Sequence, residues 1–298
     1  MGQGDAVPLS RRYARPSDED LPALSRLAFR LSAEHCAGCR NYHVMWPYLR
    51  SIGANGAGPE MRWADQVSTL GRIASGRGHV RWLLAGSADA GLLALVAAAM
   101  RTLPGVDYDA TVVDRCATPL GLCRAYADTA GIDLCTVADD LGSHAPREEY
   151  DLILMHHLMG FMGAEQRSSL LRNAADWLAP GGKLVMSLGF DRPGVALPPR
   201  PNVPLMEWRE RCIREASQSG ELDLPEPLGI FLERLRTMRE GSYAPVERHN
   251  RQDYEIAIAD AGLVLEEELP FPAADDEPLS RAWRARDRFM WVAARLPA

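Results

Sequence analysis

Two adjacent imidazoles, His156 and His157, close a nearly continuous apolar run that begins at Tyr150. A histidine ring titrates near neutrality, so one delivered by the end of a buried strand can take a proton from a hydroxyl or amine nucleophile. The plainer alternative is a ring that only packs or bonds a backbone carbonyl. Asp114 closes another run, Tyr108 to Asp114, rich in β-branched residues. A carboxylate at a strand end can accept two hydrogen bonds from the hydroxyls of a ribose. Asp139 and Asp140 follow a further run, Ile132 to Val137, at the corresponding place. Gly86-Ser87-Ala88-Asp89-Ala90-Gly91 lies between the run His79 to Ala85 and an apolar helical segment. Such a turn of small residues lets a ligand approach the backbone and aims the N–H groups of a helix start at it.

A second group of reactive side chains stands earlier. Cys36 and Cys39 have the Cys-x-x-Cys spacing of metal ligands, with His35 and His43 close by. No second Cys-x-x-Cys follows, and Cys116, Cys123 and Cys135 read as small core residues, so no metal is expected. The segment then reads as part of a helical cap. Tyr42 and His43 become candidates for chemistry. Arg40 is a candidate for pairing with a carboxylate, and the aromatic faces, Tyr48 among them, for holding a cation. Trp208, Phe231 and Tyr243 could line an apolar acceptor pocket, although ordinary burial explains them equally well.

These groups serve one chemistry only if the chain brings them together. Strand-like runs at His79–Ala85, 108–114, 132–137, Tyr150–His156 and 183–188 alternate with helical segments at 91–102, 119–130 and 164–178. That alternation predicts a parallel sheet covered on both faces, with every turn named above at its carboxyl edge. Upstream, Ser17 can cap a helix whose leucines follow at helical spacing. Further helices are expected from Arg40 to Leu49, interrupted at Pro47, and from Glu60 to Ala74. Residues 1–77 therefore read as a helical N-terminal cap, and 78–298 as the sheet domain. Prolines 193, 198, 199, 201 and 204 break the alternation after Gly189. Helices at 205–218 and 227–240 then make 190–250 an insertion over the sheet, placed as a substrate lid. A helix at 253–261 and strands at 263–269 and 289–296 follow, the two strands pairing at one edge.

Composition narrows the function. The chain of 298 residues is 47% hydrophobic and 24% charged, an ordinary globular balance. A net charge of −7, with arginines interspersed among acids, argues against nucleic acid as a partner. The polar start, the absence of an apolar run long enough to span a bilayer, and six cysteines without a leader fit reduced thiols in the cytoplasm. The expected partners are a small-molecule substrate and, at most, a second copy of the chain in a homodimer, with no membrane.

On these residues the chain resembles the class I S-adenosylmethionine-dependent methyltransferases. The similarity covers roughly 78–189, and more weakly 253–296. It rests on the turn from Gly86 to Gly91, Asp114, Asp139, the strand Tyr150-Asp151 through His156-His157, and most specifically Leu178-Ala179-Pro180-Gly181-Gly182-Lys183-Leu184. The resemblance implies a Rossmann-like, seven-stranded, mostly parallel sheet with an antiparallel last strand. It implies S-adenosylmethionine as cofactor, held by Gly86, Ser87, Ala88, Gly91, Asp114, Arg115, Ala138, Asp139, Asp140, Leu141 and His156. Methyl transfer to an oxygen or nitrogen of a small molecule is the implied reaction, in specialised metabolism. A lyase or cyclase releasing methylthioadenosine, or a non-catalytic adenosyl-binding subunit, would use the same crevice. Three positions depart from the family: Ala88 and Ala90 replace glycines, and Leu84 replaces an acid. A nicotinamide dehydrogenase would need Gly-x-Gly-x-x-Gly, and the second glycine is missing.

Overall fold

Seven strands and nine helices are found among residues 21–54, 60–191, 203–238, 250–270 and 286–295, which the computed structural model describes. In chain order they are α1 (Leu21–His35), α2 (Arg40–Ser51), α3 (Glu60–Ala74), β1 (His79–Ala85), α4 (Gly91–Met100), β2 (Asp107–Asp114), α5 (Ala117–Ala130) and β3 (Asp133–Ala138). There follow β4 (Tyr150–His156), a 3₁₀ turn (Leu158–Phe161), α6 (Ala164–Trp177), β5 (Leu178–Asp191), α7 (Val203–Gln218), α8 (Leu228–Thr237), α9 (Arg251–Asp260), β6 (Leu263–Pro270) and β7 (Arg286–Arg295).

The strands form one sheet in the order β3-β2-β1-β4-β5-β7-β6. β1 to β5 pair in parallel, and β7 runs antiparallel between β5 and β6. This is the Rossmann-like plan that the resemblance implied. Side chains alternate between two cores, as the strand period of two requires. Trp82, Leu84, Val112 and Leu154 face α4 and α5, joined by Leu24 and Ala28 of α1 and Leu70 and Ala74 of α3. Leu83, Ile153, Met155, Leu184, Met186 and Trp291 face Leu170 and Leu171 of α6 and Tyr254 and Ile258 of α9.

α1 and α3 complete a core of the sheet, while α2 shares a third core with the insertion. There Val44, Met45, Tyr48 and Leu49 pack on Trp208, Ile213, Phe231 and Leu235. Pro47 does not interrupt α2. It is buried in that packed face, which outweighs the one backbone hydrogen bond it cannot donate. Ser17 and Tyr243 lie outside the described residues, as do most of the prolines at 193–204. No helix among the described residues is long and apolar enough to cross a membrane.

The Leu178–Leu184 phrase has a physical reason. Tyr150 pairs with Leu178 and Leu152 with Lys183, so Ala179 to Gly182 loop out opposite Asp151 alone. Gly181 sits at φ +74°. A Cβ on Gly182 would stand 2.8 Å from the Ala179 carbonyl oxygen, 3.0 Å from that of Tyr150 and 3.1 Å from that of Asp151. These contacts are backbone and cannot rotate away. Gly182→Ala is expected to lower the unfolding free energy by at least about 1 kcal/mol in urea titration; an unchanged midpoint would contradict the close approach. Asp151 itself serves the opposite, amino edge of the sheet. Its carboxylate accepts from the Arg81 backbone N–H at 2.9 Å, Arg81 Nε at 3.0 Å and Arg77 Nη1 at 3.2 Å. Burial pushes this carboxyl up, and the hydrogen bonds and charge of Arg81 outweigh it, holding Asp151 below the usual carboxylate range.

Candidate functional site

The carboxyl ends of the parallel strands β1, β2, β3 and β4 lie along one edge of the sheet. At β1, Gly86 turns the chain with φ +73°, and its N–H donates to the Val113 carbonyl at 2.9 Å. Ala88 and Ala90 adopt no positive φ, so the turn needs a glycine's freedom at Gly86 alone. That removes the conformational objection to both alanines. At β2, the Asp114 carboxylate accepts from the Ser87 N–H at 2.9 Å and the Cys116 N–H at 2.8 Å. Burial pushes this carboxyl up, and the two backbone donors work against that shift. Each oxygen keeps a further lone pair for a hydroxyl donor.

At β3, the Asp139 N–H donates to the Asp114 carbonyl at 3.2 Å, which ties the two strand ends together. His144 Nδ1 lies 3.0 Å from Asp139 Oδ2 and holds that carboxyl below its usual range. Leu141 is buried, and Asn173 donates to the carbonyls of Leu141 and Gly142 at 3.3 and 3.1 Å. Ala138 ends β3 and is exposed. Arg115 and Asp140 are 3.6 Å apart on open surface, a pair worth little energetically.

At β4, His156 is exposed and its Nδ1 lies 3.0 Å from the hydroxyl of Ser187 in β5. The His157 N–H donates to the Ser187 carbonyl at 3.1 Å. The two rings meet edge to face at 4.5 Å. His157 is the one non-glycine residue with positive φ among those described, at 54°. Such a backbone costs about 1–3 kcal/mol and persists only where its surroundings fix it, a pattern concentrated at functional sites. Ser187 did not stand out in the sequence. Its signal is register alone: it pairs with His156.

The turn at 86–91 is also locked from above. Arg50, at the end of α2, grips Asp89 with Nε at 2.9 Å from Oδ2 and Nη2 at 3.0 Å from Oδ1, and the Gly91 N–H donates to Oδ1 at 2.7 Å. A Cβ on Gly91 would stand 2.1 Å from the Arg50 Cζ. Gly91 is therefore a glycine for the sake of Arg50. Leu84, where the family has an acid, is fully buried in the sheet core.

Several earlier candidates lie elsewhere. His43 is not a free base: its Nδ1 is 3.0 Å from the Ala88 carbonyl, and its ring belongs to a cluster with Cys36, Cys39 and Cys116. Tyr42 stacks edge-on against His43 and Trp46. Tyr48 is core, edge-to-face on Phe231 at 4.9 Å, and burial pushes its phenol up to about 12. Trp208 and Phe231 are likewise buried in the helical core, and the Arg40 guanidinium lies over the Phe29 ring at 5.6 Å. Of the cysteines expected in the core, Cys123 is buried and Cys135 is exposed. Cys116 instead faces the Cys-x-x-Cys pair, 3.5 Å from Cys36 Sγ and 3.8 Å from Cys39 Sγ. The Cys36 hydrogen bond holds the Cys116 thiol well below the ordinary thiol range.

Neither a family model nor a curated protein matches the chain. Solved structures that resemble it include the magnesium protoporphyrin IX methyltransferase from Synechocystis PCC 6803 with bound SAH, at 13% identity and TM-score 0.47, covering 79% of this chain and 85% of the other. The N-methyltransferase NodS from Bradyrhizobium japonicum WM9, in complex with S-adenosyl-L-homocysteine, stands at 16% identity and TM-score 0.48, covering 86% and 99%. The mitomycin 7-O-methyltransferase MmcR stands at 14% and 0.47, covering 94% and 67%. These likenesses are at low identity, and the strand order above belongs to this chain on its own evidence.

Proposed function

We propose that this chain transfers a methyl group from S-adenosylmethionine to an oxygen or nitrogen of a small molecule. One observation carries this: the Gly86–Ser87 turn, Asp114, Asp139 and the His156–His157 pair meet at the carboxyl edge of a sheet ordered β3-β2-β1-β4-β5-β7-β6. The residues present fit the adenosyl half of the cofactor. Asp114 is fixed by two backbone donors with lone pairs to spare for the ribose hydroxyls; Asp139 and Leu141, at the end of the neighbouring strand, are the residues that the resemblance assigns to the adenine. Gly86 and Ser87 offer close backbone approach.

When bound, S-adenosylmethionine supplies a methyl group on a cationic sulfur that an aligned nucleophile can displace. The protein's share is then alignment, exclusion of water and removal of one proton. His157, held in a strained backbone, and His156, oriented by Ser187, are the bases within reach of the crevice mouth. The joint core of α2, α7 and α8 ties the insertion to the N-terminal helices, which supports reading it as a lid over a small acceptor.

The test is incubation with methyl-labelled S-adenosylmethionine and a panel of hydroxyl- and amine-bearing metabolites. Label in an acceptor, with S-adenosylhomocysteine released, is the expected result. Methylthioadenosine released without an acceptor would replace transfer by sulfonium cleavage. Calorimetry with no affinity for either adenosyl ligand would overturn the cofactor assignment.

A further inference from the structure

We propose that Cys36, Cys39, His43 and Cys116 bind one zinc ion in a closed tetrahedral site that fastens the helical segments of the N-terminus to the wall of the crevice. The four ligand atoms lie within 4.8 Å of one another. Cys36 Sγ and Cys39 Sγ stand 3.5 and 3.8 Å from Cys116 Sγ. Thiolates at about 2.3 Å from a tetrahedral zinc are about 3.8 Å apart, so the cluster has the dimensions of one ion.

Every ligand sits on an element that fixes it. Cys36 follows α1, its N–H bonded to the Ser32 carbonyl at 3.2 Å. Cys39 is the N-cap of α2, and His43 is four residues on, over the same helix face. Cys116 is the N-cap of α5, immediately beyond β2. Neither cysteine makes a side-chain capping bond, although each occupies the position where an oxygen side chain would ordinarily serve the helix. The positive ends of two helices instead face sulfur, which favours thiolates.

The surroundings are those of a metal's outer shell. His43 Nδ1 donates to the Ala88 carbonyl at 3.0 Å, which fixes the tautomer and leaves Nε2 as ligand. The hydroxyl of Thr118, itself fully buried, lies 3.1 Å from Cys36 Sγ. His35, the other histidine of the segment, is turned toward Glu34 at 3.9 Å. A disulfide accounts for the cluster less well. It would pair two of three adjacent sulfurs and leave the third beside a buried imidazole. Three thiolates and an imidazole leave no open position, so the ion would hold structure and take no part in chemistry. What it would hold is specific: Cys116 is joined through its N–H to Asp114, and His43 through its ring to the cofactor turn.

The experiment is elemental analysis of the full chain, grown with zinc and passed over a chelating resin. About one zinc per chain is expected. Cys36→Ser and Cys116→Ser should lose at least about tenfold of it, while Cys135→Ser, exposed and remote, should keep it. Should the serine variants fail to fold, cobalt added to the stripped wild-type chain should give the thiolate charge-transfer and ligand-field bands of a tetrahedral site, displaced by stoichiometric zinc. Wild-type chain without bound zinc and without that spectrum would overturn the proposal. So would equal loss from Cys135→Ser, iron in place of zinc, or an intact mass showing a disulfide among Cys36, Cys39 and Cys116. None of these readouts depends on methyl transfer.

Discussion

Arg50→Met should destabilise the chain by about 3–5 kcal/mol, a large fraction of what an ordinary domain possesses. The Arg50 and Asp89 side chains are only 12% and 5% exposed. Their two-pronged pairing joins α2 to the turn after β1, across a sequence separation of 39. Removing the guanidinium would leave a buried carboxylate that still accepts from the Gly91 N–H but has lost its countercharge. The penalty is therefore that of stranding a charge, rather than the net worth of the pair. Two measurements separate these. Urea unfolding of Arg50→Met gives the penalty, and the double variant Arg50→Met with Asp89→Ala should recover most of it, because no charge is then stranded. A single variant costing less than about 1 kcal/mol would mean that water reaches Asp89 freely.

Asp114→Ala is expected to weaken binding of S-adenosylhomocysteine by about 1.5–3 kcal/mol, roughly 10- to 150-fold in Kd. Two effects combine. The acceptor for the ribose hydroxyls disappears, and the N–H groups of Ser87 and Cys116 lose the carboxylate that aims them. Calorimetry on a variant shown by thermal unfolding to be folded checks this. Unchanged affinity would remove Asp114 from the binding site and with it the main support for the adenosyl assignment.

How far the sequence disclosed this molecule depended on the range of the forces involved. β1 and β4 fall at His79–Ala85 and Tyr150–His156 as expected, because a strand buried on both faces carries a continuous apolar stretch, Trp82–Ala85 in one and Leu152–Met155 in the other. The Leu178–Leu184 phrase was legible for a comparable reason: its glycines answer to backbone geometry a few residues away. Long-range partners left no such trace. Cys116 meets Cys36 across 80 positions, and nothing near Cys116 distinguishes it from the buried Cys123. The residues of α2 read as part of a helical cap, and nothing in their local pattern names α7 and α8 as what buries them. Arg50 and Asp89, 39 positions apart in the sequence, are a pair only after folding. Ala88 and Ala90 stand in place of the family's glycines without backbone strain, because only Gly86 in the turn adopts a positive φ.

The shared core of α2, α7 and α8 also sets an order of events during synthesis. Residues 43–54 leave the ribosome early, yet the side chains that cover them belong to 208–238. About 150 residues of intervening chain take on the order of 10–30 s to translate. For that interval Val44, Met45, Tyr48 and Leu49 lack the cover that α7 and α8 supply, while β1 to β4 and their helices can already assemble. The nascent chain therefore passes through a stage with a nearly finished sheet and one sticky helix, a natural point for a chaperone to engage. Synthesis that halts before Thr237 would produce a species prone to aggregate through α2.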